Sequence, residues 1–204
     1  MLGCSVLLHP FFYGWLWHKE EKVYIGRLEP AIMKDVLKLI AKGIDEVNDW
    51  IGRSVSWFTT ALVVLVCFDV ITRYLFSNTH AWIMELEWHL FALVFLLGAA
   101  YCFRHDRHVR VDLFYAKFSE KDQALVNFVG ALLFLIPWCI VIIWVSMKYA
   151  WQSYLIGETS PDPGGLPARY LIKFSIALGI FLLLLQAVSS LIKSGIVLFE
   201  KSQP

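Results

Sequence analysis

Four long apolar segments dominate the pattern of hydrophobic and polar positions along the chain. They cover residues 54–76, 82–103, 124–147 and 174–192. Each is close to or above the roughly 20 apolar residues that an α-helix needs to cross the hydrocarbon core of a bilayer. The third and fourth segments contain no charged residue, and the first two carry charges only towards one end. The pattern therefore predicts an all-α membrane protein with four transmembrane helices.

A different pattern precedes the first segment. Between residues 34 and 53 apolar positions recur at helical spacing, and charged positions fill the other side of the helix. The apolar set is Val36, Leu39, Ile40, Ile44, Val47, Trp50 and Ile51, and the charged set includes Lys38, Lys42, Asp45, Glu46 and Asp49. The pattern predicts an amphipathic helix that either lies in the membrane interface or packs against a partner helix.

The two ends of the chain carry weaker patterns. Residues 1–33 form an N-terminal extension of uncertain status, with an aromatic cluster at positions 11–17 and no basic stretch before it, so no signal peptide is expected. Met33 offers an alternative start, which would place the first 32 residues outside the native protein. The expected organisation is this extension, the helix 34–53, a transmembrane domain 54–198 and a tail 199–204.

Composition supports a membrane protein and excludes other classes. Apolar residues make up 58% of the 204 positions and charged residues only 17%, which is too little polar material to coat a soluble globule. The 18 basic and 17 acidic residues nearly balance, so nucleic-acid binding is not expected. Cys4, Cys67, Cys102 and Cys139 form no zinc spacing and are expected to be free thiols.

The distribution of Lys and Arg predicts the orientation. Fourteen of the 18 basic residues fall before the first span, between the second and third spans, or after the fourth. Because cytoplasmic segments are enriched in Lys and Arg, both termini are expected on the cytoplasmic side. Trp and Tyr residues cluster near the ends of the spans, as amphipathic rings do at membrane interfaces.

Charged residues near the turn between the first two spans are candidates for a structural or interface role. Asp69 and Arg73 lie four positions apart and hence on one helix face, and Glu85 opens the next span. An unpaired Arg73 would be costly in the bilayer, so Asp69 or Glu85 is expected to pair with it. The group is interpreted either as a clasp on the hairpin or as a docking site for another subunit.

Other polar groups give little sign of chemistry. His105, Asp106, His108 and Asp112 are interleaved with arginines, which would repel a metal ion, and His89 is the one histidine within a span, whereas a bis-histidine haem needs two. Mid-span polar positions are scarce, so no catalytic, metal, cofactor or substrate site is predicted.

Two features of the spans concern packing. Pro137 predicts a kink in the third span. Small residues at Gly98 to Ala100 and at Ser175 and Gly179 predict close helix contacts.

Several motifs taken together resemble a known family. They are the run from Asp69 to Phe76 with its Arg73-Tyr74 pair, Trp82 followed by Glu85-Leu86, the segment Leu97 to Ala100, and His108-Val109-Arg110-Val111-Asp112. In order and spacing they resemble the small membrane subunit, of the DctQ type, of tripartite ATP-independent periplasmic (TRAP) transporters. The resemblance covers about residues 35–198.

The resemblance implies a helper role in the bacterial inner membrane. A periplasmic binding protein would capture the solute, often an organic acid, and a large membrane subunit would carry it on a sodium gradient. This chain would brace the large subunit and help to dock the binding protein, with lipid around it. By the same resemblance Arg73, Trp82 and Glu85 belong to the outer hairpin, and His108, Arg110 and Asp112 to the inner loop.

Two features depart from the family pattern, and two other functions stay open. The long N-terminal extension has no counterpart in the family pattern, and Glu87-Trp88-His89 is more polar than the usual continuation of the second helix. The first alternative is an anchor subunit of a respiratory complex, which would need paired haem histidines. The second is a self-sufficient small four-helix transporter that uses Asp69, which lies about 18 Å from the inner end of its span at 1.5 Å per residue.

Overall fold

The computed structural model describes residues 9–105, 115 and 117–199, with side chains from residue 32 onward. The chain divides into two units, residues 1–40 and 41–204. In the described part of the first unit the chain is helical, and most of its apolar side chains are exposed. These are Ile32, Met33, Val36, Leu39 and Ile40.

Five α-helices account for almost all of the described residues. They are α1 (His9–Phe76), α2 (Ala81–Arg104), α3 (Glu120–Gly130), α4 (Ile136–Leu155) and α5 (Tyr170–Phe199). A π-helical turn at Ala131–Leu135 joins α3 to α4. Helix α1 ends where Ser77 takes a left-handed conformation with φ of 49°. Ser119 caps the start of α3, because its hydroxyl accepts a hydrogen bond from the backbone N–H of Asp122.

Each predicted span lies within a helical segment, and four segments are long and apolar enough to cross a membrane. These segments are Ile32–Phe76, Ala81–Arg104, Glu120–Leu155 and Tyr170–Phe199. The prediction of a four-span helical membrane protein is confirmed. The helices extend beyond the predicted spans, because backbone hydrogen bonding continues through polar residues that end a hydropathy window.

The boundary predicted at residue 53 does not coincide with a helix end. Helix α1 runs without interruption from the amphipathic stretch into the first span. The polar face of that stretch also differs from expectation, because Asp45 and Asn48 are buried while Val47 and Trp50 on the apolar face are exposed. Residues 41–53 therefore turn the face that contains Ala41, Asp45 and Asn48 towards the rest of the second unit, while Lys42 and Glu46 stay exposed.

Helix α5 is the central helix of the second unit. It contacts α2, α3, the π turn and α4, and α1 reaches it through side-chain hydrogen bonds. Its buried positions are mostly small: Ser175, Ala177, Gly179, Ala187, Ser189, Ser194 and Gly195. Small side chains let backbones approach closely where lipid removes the hydrophobic driving force between helices. The predicted close contact is present at Gly179, where an added Cβ would lie 2.7 Å from the Leu96 carbonyl oxygen. It is not found at Gly98, where an added Cβ would meet nothing within 4 Å in the described part of the chain.

Pro137 explains the π-helical turn that precedes it. Proline has no N–H to donate to the carbonyl four residues earlier, and its ring crowds that carbonyl. The Ile136 N–H instead donates to the Ala131 carbonyl five residues earlier, which widens the turn. The irregularity predicted at Pro137 thus takes the form of one wide turn between α3 and α4.

Large apolar side chains lie mainly on the outside of the bundle. Trp57 is 73% exposed, and Val64, Phe95, Trp138 and Trp144 are exposed as well. The buried apolar residues are mostly alanines, among them Ala41, Ala100, Ala150 and Ala187. This arrangement is the reverse of a soluble core and suits a bundle surrounded by lipid or by other transmembrane helices.

Candidate interface sites at the two ends of the bundle

One end of the bundle, here called the hairpin end, contains the α1–α2 turn at residues 77–80 and the α4–α5 loop at residues 156–169. Near this end Arg73 donates a hydrogen bond to Asp69 one helical turn earlier. Asp69 is 3% exposed, whereas the Arg73 side chain is 45% exposed. Of the two partners predicted for Arg73, Asp69 is therefore the one that pairs with it.

Glu85 performs a different task, which is to hold the α4–α5 loop. Glu85 is 4% exposed, and its carboxylate accepts hydrogen bonds from the Ser160 hydroxyl and, at 2.5 Å, from the Leu166 backbone N–H. Gly165 allows this approach, because a Cβ there would lie 2.4 Å from Ser160 Oγ and 2.9 Å from Glu85 Oε2. A buried carboxylate at the start of α2 thus fixes a loop 75 to 81 residues later in the chain.

A second acidic residue fixes the same loop from its other side. Glu158 accepts hydrogen bonds from the Lys173 ammonium group and, at 2.6 Å, from the Ser153 hydroxyl. The hydrogen bond from Lys173 is the main reason why the pKa of Glu158 is lowered. Backbone hydrogen bonds across the loop join Arg169 to Glu158 at 3.1 Å and Ser160 to Leu166 at 3.2 Å. The loop is an ordered cap on this end of the bundle.

Two aromatic residues of the predicted interface set flank the α1–α2 turn. Tyr74 is 79% exposed and Trp82 is 41% exposed. Neither ring is needed to fill the interior of the chain. Large, rigid aromatic side chains of this kind suit a membrane interface or the centre of a protein contact.

The opposite end of the bundle, here called the terminal end, holds a polar network that the sequence pattern did not predict. Asp45 of α1 accepts hydrogen bonds from two α5 side chains, Gln186 at 3.0 Å and Ser189 at 2.8 Å. The Lys193 ammonium group donates to the other carboxylate oxygen. Charged and amide partners therefore compensate for burying the Asp45 carboxylate.

The same network extends along α1 to the end of α2. The Asn48 amide, which is 2% exposed, donates to Gln186 at 2.7 Å. Asp49 accepts from Arg104 at 2.5 Å and lies 3.1 Å from His105 Nε2. These contacts join α1, α2 and α5. A signal for them exists in the sequence, since Gln186 and Ser189 are polar residues spaced three apart in an otherwise apolar span, and Asp45 and Asn48 have the same spacing.

Other candidate positions carry no cluster. His108, Arg110 and Asp112 lie outside the described residues. His89 Nδ1 lies 2.5 Å from the Glu85 carbonyl oxygen of its own helix. Within residues 32–105, 115 and 117–199, no three His, Cys, Asp or Glu side chains are placed to hold a metal ion.

Two apolar grooves run along the outside of the bundle. One lies between α1 and α2 and includes Trp57, Val64 and Leu90. The other lies between α2 and α5 and includes Phe95 and Ile176, with Arg169 and Lys173 at its hairpin end. Both grooves are lined mainly by apolar side chains.

The fold and these sites define a multi-pass helical membrane protein whose buried polar residues hold its own helices and loop together. A family model described as "Tripartite ATP-independent periplasmic transporters, DctQ component" matches residues 62–194. The chain belongs to this family and is a small subunit of a TRAP transporter, a transporter component and not an enzyme. The family works with a large membrane subunit. A comparison with curated proteins finds no match.

Proposed function

We propose that this chain is a scaffold subunit that braces the large subunit of a sodium-coupled transporter for organic acids in the bacterial inner membrane. In this proposal the hairpin end faces the periplasm, where it helps to dock the binding protein, and both termini are cytoplasmic. The distribution of Lys and Arg supports the orientation. Sodium coupling and the class of solute follow from the resemblance of the quoted motifs.

The observation that supports the scaffold role is that the buried acidic side chains bind partners within this chain. At both ends of the bundle the buried carboxylates bind partners in the chain itself: Asp45 binds Lys193, Asp69 binds Arg73, and Glu85 binds the α4–α5 loop. A solute path needs polar groups that are free to bind a solute at membrane depth. The outward surface, in contrast, offers long apolar grooves, which suit contact with a large helical partner.

The ordered α4–α5 loop supports the docking part of the proposal. Glu85 and Glu158 fix this loop from two sides, so it presents a fixed surface. A surface that is already ordered loses little conformational entropy when a soluble protein binds to it. The exposed rings of Tyr74 and Trp82 lie at the same end.

The test is co-purification with the large subunit. A tagged full-length chain is extracted in detergent, and its membrane partners are identified and quantified by mass spectrometry. Recovery of one many-span protein at near-equal stoichiometry is the expected result. Recovery of this chain alone as a stable homo-oligomer, or solute uptake by this chain alone in proteoliposomes, would contradict the scaffold proposal.

A matched pair of variants connects assembly to the hairpin end. Arg73→Ala leaves the buried Asp69 carboxylate without its cation, so the yield of complex is expected to fall. Arg53→Ala removes a guanidinium of the same helix that is 76% exposed and 3.5 Å from Asp49, and it should leave the yield unchanged. A normal yield of complex with Arg73→Ala would show that the Asp69–Arg73 ion pair is not needed for assembly.

A further inference from the structure

The groove between α2 and α5 ends near the middle of both predicted spans. At this inner end Leu96, which lines the groove, lies with its backbone against Gly179. From Leu96 the groove runs along α2 to Trp88, towards the hairpin end. At 1.5 Å per residue this stretch rises about 12 Å, which is close to half of the roughly 30 Å hydrocarbon core. The groove is therefore about as deep as one leaflet of a bilayer.

The walls of this groove are aromatic and aliphatic. They include Trp88, Phe91, Phe95, Tyr149, Ile172 and Ile176. The groove has a volume of about 540 Å³, which falls in the range of small-ligand sites. A hydrocarbon chain of the surrounding lipid fits a site of this depth and lining, whereas a partner transmembrane helix would cross both leaflets.

One cation at the mouth of the groove is not paired by the described part of the chain. Arg169 and Lys173 both line the mouth, together with Glu158. Lys173 donates a hydrogen bond to Glu158, and its ammonium group lies 4.0 Å from the centroid of the Tyr149 ring. The Arg169 guanidinium, in contrast, forms no ion pair with a described carboxylate.

The surroundings of Arg169 keep its guanidinium at the mouth. Its backbone N–H donates to the Glu158 carbonyl oxygen at 3.1 Å, and its guanidinium carbon lies 5.8 Å from the centroid of the Trp88 ring. The carboxylates of Glu85 and Glu158 interact with it electrostatically, but each already accepts two hydrogen bonds from other groups. The guanidinium is therefore available to a ligand that enters the mouth.

A phospholipid carries both groups that this groove would bind. Arginine binds phosphate through two parallel charge-assisted hydrogen bonds, and the phosphates of a bilayer lie next to the interface where Trp and Tyr rings are enriched. The charges of Arg169 and Lys173 are balanced by those of Glu85 and Glu158. Because the mouth has no net charge, a zwitterionic headgroup matches it better than a headgroup with net negative charge.

We propose that the groove between α2 and α5 is a binding site for a zwitterionic phospholipid. Arg169 binds the headgroup phosphate, and one acyl chain lies along the groove as far as Leu96. The lipid belongs to the leaflet at the hairpin end. The inference does not rest on the scaffold role. It assigns this groove to lipid and leaves the α1–α2 groove to a helical partner.

Native mass spectrometry of the full-length chain in detergent tests the site. Phosphatidylethanolamine is expected to bind about tenfold more tightly than diacylglycerol with the same acyl chains, which is the factor for one hydrogen bond to a charged group. Arg169→Gln should weaken binding of the phospholipid by a similar factor. Lys148→Gln is the matched control and should bind as the wild-type chain does, because Lys148 lies 3.7 Å from the centroid of the Trp144 ring and does not line the groove.

Photo-cross-linking in the membrane identifies the occupant of the groove. Benzoylphenylalanine in place of Phe95, which lines the groove and is 70% exposed, is expected to form an adduct with the mass of a phospholipid. Arg169→Gln should reduce the yield of this adduct.

Four results would overturn the proposal. They are equal binding of diacylglycerol and phosphatidylethanolamine, equal thermal stabilisation by inorganic phosphate and by the phospholipid, an unchanged adduct in Arg169→Gln, and an adduct with a protein in place of lipid. If Arg169→Gln fails to fold, the comparison of the two lipids on the wild-type chain still decides the matter.

Discussion

Gly179 of α5 lies directly against the backbone of Leu96 in α2. A Cβ atom at Gly179 would come within 2.7 Å of the Leu96 carbonyl oxygen and 2.9 Å of its carbonyl carbon. Contacts this short cannot be relieved by a side-chain rotation, because the neighbouring atoms belong to a helix backbone. The separation of these two helices is therefore set by the absence of a side chain at one position.

Gly179→Ala is expected to destabilise the bundle. Forcing a methyl group into this contact must push α2 away from α5, and overpacking of this kind costs about 1–3 kcal/mol. Gly98→Ala is the matched control, because a Cβ there meets nothing within 4 Å and alanine favours a helix by up to about 1 kcal/mol. Melting in detergent should rank Gly98→Ala at or above the wild-type chain and Gly179→Ala below it. Equal midpoints for the two variants would show that α2 and α5 can separate without cost.

Asp45→Ala is expected to weaken the terminal end. The change leaves the amide of Gln186 buried without its acceptor, and an unsatisfied buried group costs about 1–3 kcal/mol. The Ser189 hydroxyl keeps the Ala41 carbonyl oxygen at 3.3 Å. Glu46→Ala removes the neighbouring acid, which is 67% exposed and 3.8 Å from Lys42, and should change stability by less than about 0.5 kcal/mol. Denaturant or thermal unfolding of the two variants compares them. A loss as small for Asp45→Ala as for Glu46→Ala would mean that water replaces its contacts.

Glu85→Ala is expected to release the α4–α5 loop while the helices stay folded. The carboxylate is the shared acceptor for the Ser160 hydroxyl and the Leu166 N–H, so its loss frees the middle of the loop. Limited proteolysis should show faster cleavage within residues 156–169. Asp162→Ala, a change of an exposed side chain in the same loop, is the control and should cleave at the wild-type rate. Equal cleavage of both variants would assign the order of the loop to other contacts.

The ion pair of Glu158 predicts a dependence on acid pH. The hydrogen bond from Lys173 lowers the pKa of Glu158 below its ordinary value of 4.5. A lowered pKa means that the carboxylate contributes stability above that ordinary value and loses it as pH falls through the lowered one. Proteolysis of the loop at decreasing pH, with an acid-tolerant protease, should therefore accelerate in the wild-type chain. Glu158→Gln should show fast cleavage already at neutral pH, and a wild-type rate there would contradict this role.

Much of the fold could be predicted because membrane insertion leaves a one-dimensional signal. A helix that crosses a bilayer needs a long apolar run, and all four runs lie within helices. The sequence also limits the partner of Arg73 to two carboxylates. A spacing of four residues places one of them, Asp69, on the same helix face as Arg73. The role of Glu85 in holding the α4–α5 loop could not be predicted from local spacing, because its hydrogen-bond partners Ser160 and Leu166 lie 75 and 81 residues later in the chain.

The sequence by itself determined the class of protein, the number of spans and the family, because these follow from local hydropathy and from motifs that are short in sequence. Only the tertiary structure decided which polar residues are buried. Asp45 belongs to the charged side of an amphipathic pattern, yet it lies against Gln186, Ser189 and Lys193. A periodic pattern shows which side of a helix is polar. Whether that side meets water or another helix depends on how distant segments pack.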